Sequence, residues 1–180
     1  MPLFGVQLVG QAMELEHMVS MENVLPLVLR WIHFVAGITW IGLLYYFNLV
    51  QVPFMKETDA ATKSGVVLRL VPRALWWFRW SALVTVLAGI LLLMVGRIVN
   101  TAIMIGGTLG LIMLFNVWVI IWPNQKKVIQ MTGDATATKT PPPPQMAKHA
   151  RIAYLASRTN FYLSFPMLLF MGMSAHFPQF

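Results

Sequence analysis

Imidazole is the scarce reactive group in this 180-residue sequence, which holds four histidines and no cysteine. His33 stands near the start of one long uncharged run and His176 directly after another. If both runs cross a membrane as helices, the two rings lie at the same face. Imidazole suits iron and copper, and haem between the helices of a bundle is a common arrangement. The pair therefore reads as axial ligands to a b-type haem or as part of a copper site. The alternative is two interfacial histidines, one bonded to a carbonyl and one solvated. His149 is twenty-seven residues from His176, about 40 Å of helix, so an unbroken helix keeps those two apart. His17 sits among Glu14, Glu16 and Glu22, as a metal ligand or simply solvated.

A second set of polar residues, Asn48, Arg79, Asn116, Arg158 and Asn160, falls toward the opposite face. Polar groups inside a membrane are costly and are often kept for function, so the set could recognise an anion or a quinone headgroup. Equally, the two arginines could snorkel to lipid phosphates while the asparagines bond helix to helix. The apolar runs contain no Asp or Glu. A carboxylate-bridged di-iron site, a carboxylate proton relay and a carboxylate sodium site thereby lose their usual ligands. No nucleophile, base and orienting group form a hydrolytic set. The thirteen methionines suggest copper handling, but Met167, Met171 and Met173 are interspersed with Leu and Phe and suit packing better.

The elements that must carry these residues are four uncharged or nearly uncharged runs. The first, residues 31–52, has no Asp, Glu, Lys or Arg across twenty-two positions and would reach about 33 Å as a helix, the depth of a hydrocarbon core. His33, Gly37, Trp40 and Leu44 share one face of it. The second, residues 74–95, starts with Trp76, Trp77 and Trp80 and offers Ala82, Thr85, Gly89 and Gly96 as a small-residue face. The third, residues 102–122, opens with Gly106-x-x-x-Gly110 and is expected to stop at Pro123 and Lys126–Lys127. The fourth, residues 159–175, has the shortest length able to span and contains Pro166. Segments 53–73 and 123–158 are expected as loops. Pro141–Pro144 is a stiff polyproline stretch, and a helix should restart near Gln145.

Composition agrees with that plan. Hydrophobic residues make up 58% and charged residues 11%, against roughly 25% charged in a soluble domain. The net charge of +7 then points to loops facing anionic lipid rather than to nucleic acid. Ten of thirteen Lys and Arg residues lie in 53–73 and 123–158, which makes those segments cytoplasmic and puts both termini outside. The expectation is an all-α, multi-pass four-helix bundle over residues 30–178, preceded by an outer segment, 1–29. Residues 1–19 lack a basic start and make a poor signal peptide.

The segments RWIHFVAGITWIG, ALWWFRWSA, FNVWVIIWPNQKK and SRTNFYLSFPMLLFMGMSAHFP, in that order, resemble the membrane domain of bacterial cytochrome-c-type urate oxidases, also called urate hydroxylases. The resemblance implies a bacterial inner-membrane bundle linked to redox chemistry. Family members called urate oxidases end in a cytochrome c domain, whereas this chain has no cysteine and stops at Phe180. Urate oxidation is therefore not expected of it. Three roles follow: an accessory subunit packed against a larger redox or energy-transducing complex, a haem-b electron carrier using His33 and His176, or a small transporter.

Overall fold

A computed structural model describes residues 21–96 and 99–177, and all four long elements in it are helices. The first, α1, runs regularly over Met21–Tyr45, widens into a π turn at Tyr46–Gln51 and closes as Val52–Glu57. The second, α2, is built the same way from Ala60–Gly65, a π turn at Val66–Leu70 and Val71–Gly96. The third, α3, joins Thr101–Phe115, a π turn at Asn116–Ile121 and Trp122–Thr138. The last, α4, is one helix, Pro144–His176, which passes through Pro166 without a break. The expected restart near Gln145 is thus met within a residue. His17, Glu14 and Glu16 lie outside the described residues.

The segments expected as loops, 53–73 and 123–158, are helical over most of their length, and the reason is visible at three prolines. Proline has no N–H to offer the carbonyl four residues back, and its ring crowds that carbonyl. The π turns end at Gln51, Leu70 and Ile121, each two residues before Pro53, Pro72 and Pro123. A wider i→i+5 turn moves the crowded carbonyl aside, so the helix continues where a stop was expected. As a result α1, α2 and α3 are thirty-seven or thirty-eight residues long, with mean hydropathy of 1.7, 2.1 and 2.1 in their most apolar windows. Each is long and apolar enough to cross a membrane and still project beyond it. The uncharged stretch of α4 carries Asn160, Ser164 and Ser174, and that helix is not among the three.

Where the helices do end, specific groups end them. The Asp59 carboxylate accepts from the N–H groups of Ala61 (2.9 Å) and Thr62 (3.0 Å) and starts α2. Bonds from the Thr62 hydroxyl and backbone hold its pKa below the ordinary carboxylate value. Asn100 caps α3 by accepting from Ile103 N–H at 2.9 Å, and its amide reaches Ser174 O at 3.2 Å, tying the start of α3 to the end of α4. Lys139, at φ 55°, closes α3 in the left-handed conformation, and Pro144 opens α4 in the first turn, where its missing N–H costs nothing.

The helices pair as two antiparallel hairpins, α1 with α2 and α3 with α4, and the core forms where the hairpins meet. Trp40, Leu44, Phe78, Ala82, Met113 and Val117 are all at or below 2% exposure there. The expected face of α1 is the buried one, since Trp40, Leu44 and Asn48 follow each other down it. Around this core the surface is apolar. Leu27, Trp31, Phe34 and Ile38 on α1 are each more than 60% exposed.

Candidate functional site

His33 is pinned to α2. Its Nδ1 lies 2.8 Å from the carbonyl oxygen of Thr85, and its ring rests on Gly89, where a Cβ would come within 3.1 Å of the imidazole. Thr85 itself donates to Ser81 O at 2.7 Å. Gly37, on the same face of α1 one turn on, does not make room for the ring: the space beside it is taken by the Thr85 side chain at ordinary contact distance, 3.6 Å. The glycine that admits the ring is Gly89, whose only signal in the sequence was its place on the small-residue face.

This geometry bears on whether His33 could hold a metal. A carbonyl is an acceptor only, so Nδ1 carries a proton, and in the neutral imidazole Nε2 then keeps its lone pair. That is the tautomer a haem or copper ligand needs, with the second-shell bond already made. The α1–α2 seam itself is too tightly packed for a macrocycle, so a haem would have to approach from the Nε2 side. His176 lies at the last turn of α4, exposed. His149 is on another part of that helix, with Nδ1 2.7 Å from Asn124 Oδ1 of α3.

The five residues grouped together in the sequence fall into four separate arrangements. Asn160 is fully buried; its amide donates to Met113 O at 2.9 Å, and its oxygen accepts from Asn116 at 2.8 Å. Asn48 reaches across a different seam, donating to Ser157 Oγ at 3.0 Å and to Leu44 O at 2.9 Å. Ser164 continues that seam with a 3.1 Å bond to the Tyr45 hydroxyl. The arginines join neither pair. Arg158 packs its guanidinium 5.3 Å from the ring centres of Phe161 and Tyr162. Arg79 lies 3.9 Å from the centre of Trp122, with Trp118 and Trp80 at 5.6 and 5.7 Å.

The position of each residue along its helix could be read from the sequence. Which flank of the helix each residue occupies depends on packing, and there the five diverge. Several buried polar atoms have no hydrogen-bond partner among the described residues: Asn48 Oδ1, Gln51 Oε1, Trp40 Nε1, Arg79 Nε and Trp118 Nε1. No group of three or more potential metal-binding side chains gathers among the described residues.

A family model described as "Urate oxidase N-terminal" matches residues 98–180. That region includes α3 and α4, and with them two of the four segments quoted above. The match supports a relation to a urate-oxidase-related family. No curated protein and no solved structure matches the chain.

Proposed function

We propose that this chain is a multi-pass protein of the bacterial inner membrane, with both termini outside, that serves as a non-catalytic subunit of a larger redox complex. The observation that carries this reading is where the internal polar groups are directed. Asn116 with Asn160, Asn48 with Ser157 and Ser164 with Tyr45 each bond one helix to another instead of converging on a shared cavity. Interhelical bonds of this kind hold membrane bundles together. The redox association rests on the urate-oxidase-related match, taken with the resemblance to the membrane domain of cytochrome-c-type enzymes.

The test is isolation of tagged chain from its native membrane in mild detergent after cross-linking. The expected result is a band well above the mass of one chain that contains a redox protein. A free 20.3 kDa bundle that cross-links to nothing would refute the accessory role. Orientation is checked separately with reporters inserted at Lys139 and placed after Phe180. They should report inside and outside respectively, and agreement between them would refute the four-pass topology.

A second reading, a b-type haem on His33, is favoured by one observation: the Nδ1 bond to Thr85 O that leaves Nε2 available. Such a haem would supply one-electron transfer, with His33 as a ligand and His176 as the partner on the same side. Chain purified with haem supplied should then show a Soret band that His33→Ala removes and His149→Ala leaves. A colourless preparation under those conditions would refute this reading.

A further inference from the structure

Arg79 has its face satisfied and its edge not. Three indole rings surround the guanidinium, the nearest 3.9 Å from it, and stacking of this kind stabilises the cation through its flat face. The N–H groups lie in the plane, however, and need acceptors. Nε is buried without one, and no carboxylate pairs with this arginine among the described residues. Beside it Trp118 presents a second buried donor, Nε1, that is also without a partner. Two buried donors, one on a cation, ask for an anion, because an unmet buried donor costs about 1–3 kcal/mol and more when charged.

Trp118 also belongs to a shallow, largely open groove on the surface between α2 and α3, lined by Leu83, Leu111, Leu114, Phe115 and Val119. The lining is apolar and its direction is informative. Leu83 is one turn beyond Arg79 along α2, while Leu111 to Phe115 precede Trp118 along α3. Both displacements lead away from the end of the bundle where Lys63, Arg69, Lys126 and Lys127 lie. The groove shares Trp118 with the cage around Arg79, which lies toward the basic end, and runs about 12 Å along α3, the eight residues from Val119 back to Leu111. A polar anionic head with an apolar tail fits that order of groups.

We propose that this is a binding site for an anionic glycerophospholipid of the inner leaflet, with its phosphate on Arg79 and Trp118 and one acyl chain in the groove. The proposal rests on the membrane reading, and the experiment separates the two. The purified chain is reconstituted into nanodiscs of phosphatidylcholine, with a minor fraction of phosphatidylglycerol or phosphatidylcholine brominated in the acyl chains. Bromine quenches indole fluorescence on contact. Failure to enter the nanodisc would count against the membrane reading itself and would overturn the site with it.

Given incorporation, brominated phosphatidylglycerol should occupy the quenching site about five-fold more strongly than the phosphatidylcholine probe, roughly the factor one basic residue confers. R79Q should abolish that preference, and W118F, which keeps an aromatic face but removes the indole N–H, should reduce it as read from the remaining tryptophans. R158Q should leave it unchanged. Equal quenching by the two probes would mean ordinary boundary lipid and would overturn the proposal. So would an R158Q effect as large as that of R79Q, since the preference would then reflect bulk charge. Displacement by millimolar glycerol phosphate would show that a soluble anion suffices and would overturn the lipid assignment. Should R79Q fail to incorporate, W118F carries the test: an unchanged preference in it would overturn the role of the indole donor and the site as drawn.

Discussion

Gly106→Leu is expected to destabilise the folded protein by about 2–3 kcal/mol, the upper range for forcing extra atoms into a packed contact. At Gly106 a Cβ would come within 3.2 Å of Met171 N and Met171 Cγ and within 3.4 Å of Met167 O. Two of those three atoms are backbone, so a rotamer change on α4 cannot clear them. A leucine there must push α3 and α4 apart, and with them the Asn100 to Ser174 tie at the end of the same seam. Gly110 gives the internal comparison. It is buried, yet a Cβ built on it meets nothing within 4 Å, so Gly110→Ala should not destabilise and, by removing a mid-helix glycine, should stabilise by about 0.5–1 kcal/mol. Unfolding by denaturant in mixed micelles would rank the two variants. A Gly106→Leu protein as stable as the parent would mean that the close approach of α3 and α4 at this point is wrong.

The pair of glycines also shows where sequence reasoning reached its limit. The G-x-x-x-G spacing marks two residues on one face, but only packing decides which of them touches a neighbour. The same limit applies to the prolines. The apolar runs of α1, α2 and α3 are legible because about twenty residues with at most one charge mark a helix long and apolar enough to cross a membrane. Pro53 and Pro123 then read as stops, since a proline inside a regular helix costs a hydrogen bond and a clash. The π turns at Tyr46–Gln51 and Asn116–Ile121 evade that cost by changing the hydrogen-bond register one turn earlier. No single residue in YFNLVQ or NVWVII announces such a turn. Its stability comes from continued packing of the helix beyond the proline, as where Leu68 meets Gly133 of α3. The start of α4, by contrast, was legible because Pro141–Pro144 forbids any earlier helix. That one histidine could bond a carbonyl was legible, while which carbonyl, that of Thr85, leaves no mark in the sequence.

Asn160→Leu is expected to cost about 2 kcal/mol, and a double-mutant cycle with Asn116→Leu should give a coupling near 1 kcal/mol. Asn160 has no exposed surface and uses both ends of its amide, one on Met113 O and the other on the Asn116 side chain. Leucine is close to it in size, so the change removes the bonds without opening a large void. Interhelical bonds in membranes contribute less than their isolation suggests, on average about 0.6 kcal/mol and at most near 1.7. Two such bonds, plus an Asn116 amide left without its acceptor, make up the expected loss. Asn116 is only partly buried and can find lipid-headgroup or water partners, so Asn116→Leu alone should cost less, about 1 kcal/mol. The cycle also discriminates between the two roles offered for these asparagines. If they bind helix to helix, stability falls and the two changes are coupled in the purified chain with nothing added. If instead they exist to hold an anion or a quinone headgroup, the single changes should leave stability within about 0.5 kcal/mol and remove ligand binding instead. Coupling below about 0.3 kcal/mol would argue that the 2.8 Å contact between the two side chains contributes nothing to holding α3 against α4.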